Sequence, residues 1–172
     1  MAKLWRCRIC GDPYIGDAPP ENCPFCGAHK RYIGEAKDTV ADFDLSLGEK
    51  DMENVKTALG LELSNAAFYM CASKNTDDPE GRLLFKALSK IEAEHASIWK
   101  KILRLDSLPE KTEQCFTDNS ENLRGSHQRE THAIEFYKRA ADEATHPRIQ
   151  EIFSALVEVE KDHLGLANER LR

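Results

Sequence analysis

The chain repeats itself. Shifted by 68 residues, Glu62 falls on Glu130, Phe68 on Phe136, Tyr69 on Tyr137, Pro79 on Pro147, Phe85 on Phe153, Glu92 on Glu160 and His95 on His163, with no gap. Helical periodicity alone aligns apolar positions by chance, but not two glutamates, a histidine and a turn proline as well. The repeat therefore points to two copies of one helical hairpin packed about a pseudo-twofold axis. Four helices are predicted, over 49–74, 79–105, 119–143 and 147–171. Asp78-Pro79 and Pro147 mark two starts, because proline suits the first helical position. The short turns at 75–78 and 144–146 make each pair an antiparallel hairpin. The longer segment 106–118, with Pro109, reads as a crossover along the bundle. The predicted class is mainly α: a four-helix bundle over 49–172, a small β module over 1–34 and a linker over 35–48.

Each hairpin carries a lone glutamate on its first helix, Glu62 or Glu130, and Glu-x-x-His on its second, Glu92 to His95 or Glu160 to His163. Residues three apart share a helix face, so each carboxylate and imidazole can reach one metal ion together. Two lone glutamates and two Glu-x-x-His pairs projecting from four helices form the ligand set of a di-iron carboxylate centre. The charges balance, since four carboxylates offset two ferrous ions while the imidazoles bind neutral. Without metal, four inward carboxylates are costly to bury. A single Glu-x-x-His is commonly a solvated, salt-bridged face. The duplication, and the apolar Leu88, Ile91, Leu156 and Val159 flanking both copies, turn these groups inward.

Tyr69 and Tyr137 lie two turns beyond the lone glutamates and should face the same core. They either pack with satisfied hydroxyls or hydrogen-bond the metal ligands. His127, one turn before Glu130, is a surface residue or a further ligand. His29, His132 and His146 are assigned no function, and His146 is expected to cap the fourth helix. Cys71 and Cys115 are expected to be buried or free thiols rather than catalytic groups.

Four of the six cysteines lie together, as Cys7-x2-Cys10 and Cys23-x2-Cys26. Each pair is followed by a glycine, Gly11 or Gly27, which tolerates the left-handed turn of a metal knuckle. This spacing predicts a tetrahedral four-thiolate site. The cysteines alone accept zinc or iron. A redox-active di-iron site in the same chain needs an electron source, which zinc cannot be, and that coupling favours iron.

Composition narrows the class further. The N-terminal 34 residues hold five basic and three acidic side chains, so the remainder carries most of the acidity behind the net charge of -6. An acidic bundle without a basic face argues against nucleic-acid binding. No apolar run suits a membrane span, and no hydrophobic signal core follows Met1, so a cytoplasmic protein is expected.

The run Trp5-Arg6-Cys7-Arg8-Ile9-Cys10-Gly11, with Ala18-Pro19-Pro20-Glu21-Asn22-Cys23-Pro24-Phe25-Cys26, resembles the rubredoxin-like module of rubrerythrins, and the helical repeat resembles their ferritin-like di-iron domain. The cysteine module precedes the bundle, as in the "reverse" rubrerythrins. The resemblance implies a non-haem di-iron peroxidase reducing hydrogen peroxide to water. Electrons would pass from a reductase or rubredoxin through the four-cysteine iron to a di-iron centre held by Glu62, Glu92, His95, Glu130, Glu160 and His163. Ferroxidase or dioxygen-reductase activity could use the same ligands. A zinc ribbon on a bundle with structural metals is the non-enzymatic alternative. Many peroxidase members carry an extra glutamate one turn beyond the lone glutamate of the third helix; on the symmetric alignment Ala133 stands there. A 26-residue helix is roughly 39 Å long. A module tethered at one end should therefore lie far from its own di-iron site, and a homodimer is expected, with each module beside the neighbour's bundle.

Overall fold

The computed structural model describes residues 1–172. A three-stranded antiparallel sheet opens the chain, with β1 (Lys3–Cys7) between β2 (Pro13–Gly16) and β3 (Ile33–Glu35). Trp5 closes its core and donates from Nε1 to the Gly16 carbonyl at 3.0 Å. Four helices follow: α1 (Glu49–Asn75), α2 (Pro79–Leu103), α3 (Asn119–Glu143) and α4 (Pro147–Arg170). Their ends carry the chemistry read from the sequence. Asp78 caps α2 by accepting from Gly81 N at 2.5 Å, and Asp118 caps α3 by accepting from Glu121 N at 2.9 Å. His146 caps α4, its Nδ1 accepting from Arg148 N at 3.1 Å. Such side chains satisfy amides that a helix start leaves without partners.

α1 packs along α2 and α3 along α4, while α1 and α3 meet along a thinner seam. Buried Asp51 near the start of α1 ties the hairpins together, accepting from Thr145 N at 3.0 Å and His146 N at 3.0 Å. The crossover folds back against α1, where Asn122 of α3 exchanges two backbone bonds with Phe116. That return brings Cys115 to Cys71 of α1, and the two form a disulfide with Cα atoms 5.8 Å apart. The expectation of buried or free thiols is thus corrected to a disulfide. The pair is 44 residues apart in sequence, and only the course of the crossover makes them neighbours.

The β module does not hang at the bundle's end. Its cysteine loops share one apolar cluster with α1–α4, and linker residues Phe43, Leu45 and Leu47 pack against that cluster.

Candidate metal centres

The thiolate site is built by two loops of the same shape. Gly11 N donates to Cys7 O at 2.8 Å and Gly27 N to Cys23 O at 2.9 Å, with φ of +88° and +75° at the two glycines. These left-handed turns curl each loop so that its two sulfurs point the same way. Cys7 and Cys26 Sγ are 3.8 Å apart, as are Cys10 and Cys23 Sγ. Four sulfurs held tetrahedrally about 2.3 Å from one ion would be about 3.8 Å apart. The four thiols are buried together, and they ionise against one another. Sulfur hydrogen bonds, that from Cys10 foremost, hold the Cys7 thiol far below its ordinary range, while contact with Cys23 pushes Cys10 far above it. A cation is what lets all four be thiolates at once.

In the bundle, α1 and α3 present matching buried stripes. Ala58, Glu62, Asn65, Tyr69 and Ala72 lie on one, and Ser126, Glu130, Ala133, Tyr137 and Ala140 on the other. Glu92, His95, Glu160 and His163 face them from α2 and α4. Two overlapping groups result: Glu62, Glu92, His95 and Glu160, and Glu92, Glu130, Glu160 and His163. Glu92 and Glu160 belong to both. His95 Nδ1 lies 3.3 Å from Glu92 Oε2 and 3.3 Å from Glu160 Oε1, whereas His163 Nδ1 lies 3.1 Å from Glu92 Oε1 and 2.9 Å from Glu160 Oε2. Each shared carboxylate thus turns one oxygen to each imidazole, which is how two carboxylates bridge two ions. Glu62 adds to the His95 side at 3.5 Å and Glu130 to the His163 side at 4.0 Å. His127 is half-buried and outside both groups.

These groups fit a pair of iron ions. All four glutamates and His95 are fully buried, and oxygens of each glutamate, with His95 Nδ1, lack any hydrogen-bond partner. Orphaned buried polar atoms of this kind are costly unless something binds them. Burial pushes Glu62 well above the usual carboxylate range, helped by the charge of Glu92, and Glu130 rises for the same reasons. Burial opposes the histidine cations, but Glu62 beside His95 and Glu160 beside His163 outweigh it, so both imidazoles hold protons strongly. Two divalent cations would replace that proton charge, and carboxylate with imidazole is a donor set suited to iron.

The tyrosines hydrogen-bond across the bundle. Tyr137 OH of α3 donates to Glu62 Oε1 of α1, and Tyr69 OH of α1 donates to Glu130 Oε1 of α3. Burial, then the facing carboxylate, raises both phenols well above their ordinary range, so both are proton donors. Ser126 Oγ, 3.0 Å from Tyr69 OH, has no counterpart in the other half, where Ala58 stands. The repeat overlooks Ser126 because it aligns with an alanine.

Comparison with known proteins agrees with this architecture. The family model described as Rubrerythrin matches residues 53–171, and that described as Rubrerythrin, rubredoxin-like domain matches residues 5–33. The chain belongs to the rubrerythrin family. It is similar to Reverse rubrerythrin-1 of Clostridium acetobutylicum, at 29% identity over 112 residues that cover 59% of this chain and 62% of that protein. No solved structure matches the chain significantly. This rubrerythrin has its rubredoxin-like module first and its di-iron domain second.

The module's placement corrects the expectation drawn from helix length. It sits on the middle of its own bundle, with the Cys26 carbonyl 2.9 Å from His95 Nε2. Lys101 Nζ of α2 donates to Cys10 O at 2.8 Å, Arg8 pairs with Glu151 of α4 at 2.7 Å, and His29 meets Asp162 of α4 at 2.7 Å. A Cβ added at Gly27 would come within 2.8 Å of Val159 Cγ1. The physical reason is reach. A linker of about 14 residues spans up to roughly 45 Å when extended, enough to return from the start of α1 to its middle. A second copy is not needed to bring the two centres of this rubrerythrin together.

A third cluster borders the thiolates, with Asp12 and Glu94 beside Cys10. Burial, and then Asp12, push half-buried Glu94 up to about 7, with Lys101 3.7 Å away. Nothing in the repeat marks it, because Asp12 belongs to the β module.

Proposed function

We propose that this rubrerythrin reduces hydrogen peroxide to water at the carboxylate–histidine centre, taking electrons through its four-cysteine iron. The observation that carries the reading is the hydrogen bond between Cys26 O and His95 Nε2, which joins the two centres through one peptide and one imidazole. Bound iron would supply the redox chemistry of peroxide reduction, two electrons at the carboxylate–histidine centre and one at a time through the four cysteines.

The chain's own residues do the rest. Glu62 with His95 and Glu130 with His163 would hold the metal on either side, with Glu92 and Glu160 common to both groups. Donating Nε2–H to the Cys26 carbonyl leaves the His95 Nδ1 lone pair free for its ion. Tyr69 and Tyr137 steady the lone glutamates and keep two phenolic protons beside the centre where peroxide, taking up two electrons and two protons, would become two waters. Burial excludes bulk water, which strengthens each of these interactions. An external reductase or rubredoxin is the expected electron source, and a cytoplasmic location is part of this reading.

The test is anaerobic reduction of the iron-loaded protein followed by titration with hydrogen peroxide or dioxygen, read by visible absorption. Rapid reoxidation of both centres by peroxide, with slow reoxidation by dioxygen, is expected. Preferential consumption of dioxygen or ferrous iron would make the chain an oxidase. Zinc at the cysteines would remove the electron relay.

A further inference from the structure

Besides Ser126, which aligns with Ala58 in the repeat, the pseudo-twofold symmetry breaks at buried Asn65, whose counterpart is Ala133. Tyr137 pairs with Glu62, and Tyr69 with Glu130. α1 and α3 therefore run antiparallel, and their pseudo-twofold axis passes midway between the members of each stripe. The residues nearest that axis are Asn65 on α1 and Ala133 on α3. The same axis relates the two halves of the metal centre, so a molecule shared equally by both ions lies on it. Glu92 and Glu160 approach from α2 and α4, which leaves the α1–α3 side for a molecule from outside.

Asn65 is only 3% exposed, and its Nδ2 has no hydrogen-bond partner. Its Oδ1 accepts from Arg129 at 3.2 Å. Arg129 also donates to Ser64 Oγ at 3.0 Å, pairs with Glu113 at 3.4 Å and lies over the Phe68 ring at 4.4 Å. Ser64, Asn65, Phe68 and Arg129 line a cavity of about 610 Å³ at the outer face of the α1–α3 seam. The guanidinium holds the carbonyl end of the amide toward that cavity, which turns the NH₂ end to the buried side. A buried donor without an acceptor is costly and calls for an occupant. Ala133 opposite is small enough to leave room for one.

We propose that Asn65 is the residue that orients the small oxygen-bearing oxidant at the metal pair. Nδ2 donates a hydrogen bond to the bound molecule, which arrives through the α1–α3 cavity. This rests on the peroxidase reading only for the identity of the oxidant.

The test uses the full chain loaded with iron, with azide as the probe, and compares wild type with Asn65→Leu. Leucine has a similar volume and no donor. About tenfold weaker azide binding by absorption titration is expected, with iron content and the thiolate-site spectrum unchanged, because one hydrogen bond is lost. The second-order rate of reoxidation by peroxide should fall by a similar factor. If leucine prevents iron loading, Asn65→Ser is measured in the same way and should show the same weakening. Equal azide affinity in wild type and a variant overturns the proposal, as does failure of both variants to hold iron, which would make Asn65 a structural member of the site. The two readings separate cleanly. Weakened azide binding in a protein that ignores peroxide leaves Asn65 in its role and removes the peroxidase, while unchanged azide binding in an active peroxidase does the reverse.

Discussion

The two hairpins supply the same ligands but stand in different surroundings. Around His95 the site is sealed, and the imidazole is bonded to the carbonyl of Cys26. His163 is likewise buried, at 4% exposed, but its hydrogen bond is to Glu160 of its own helix. Tyr69 has Ser126 as a second partner, while Tyr137 relies on Glu62 alone. Duplication thus makes two equivalent metal positions, and what docks from outside makes them unequal. The half beneath the cysteine module is the one bonded to a thiolate loop.

The most drastic way to break the comparison is to remove what the halves share. Glu92→Ala with Glu160→Ala deletes both carboxylates common to the two groups. Loss of all iron from the bundle is expected, with the thiolate iron retained, as metal analysis and visible absorption would register. Unchanged peroxide turnover in that variant would be incompatible with the proposed function.

Next in size is a proton effect common to both halves. Glu62, Glu130, His95 and His163 all hold protons more tightly than their ordinary values when no metal is bound. Loading divalent ions should therefore release protons from this set. Since protons compete with the ions, affinity falls as pH is lowered and rises as it is raised. Calorimetry in buffers of different ionisation enthalpy counts the protons; release near zero would mean that the histidines and lone glutamates are not displaced.

The tyrosines sharpen the comparison. Tyr137→Phe leaves Glu62 Oε1 with no donor, and Tyr69→Phe strands both Glu130 and Ser126. Each should lower the stability of the metal-free protein by about 1–3 kcal/mol, the cost of a buried group left unpaired. Denaturant unfolding measures both, and the Tyr69 variant should lose more.

A smaller effect tests the wiring of the His95 half. Removing two docking contacts with His29→Ala and Arg31→Ala takes away the partners of Asp162 and Glu158. Exposed pairs are individually weak. Electron transfer between the centres should therefore slow by only about threefold, with both metal sites intact. In the unaltered protein the transfer rate should not change on dilution, because the path lies within one chain. A rate that falls on dilution would restore a path between neighbouring copies.

Much of this was legible before any coordinates. Helical side chains recur on one face every three or four residues, so the spacing of Glu92 to His95, and its copy 68 residues later, carries three-dimensional information in one dimension. The Cys-x2-Cys loops are equally local, since a glycine turn aligns their sulfurs. Pairings between elements were not legible. The tyrosines could be placed on the core face, but that each reaches the glutamate of the opposite hairpin depends on how α1 crosses α3. The Cys71–Cys115 disulfide depends on the course of the crossover, and the Asp12–Glu94 contact on where the β module lands.

Periodic spacing by itself determined the four helices, the two knuckles and the six inward-facing acid and imidazole groups, because local backbone geometry converts intervals along the chain directly into directions in space. Only the tertiary structure decided that the module rests on its own bundle, that His95 rather than His163 meets the thiolate loop, and that Asn65 stands at the pseudo-twofold axis. Those outcomes depend on packing between segments far apart in the chain, where contact area and linker reach, rather than helical repeat, select the neighbour.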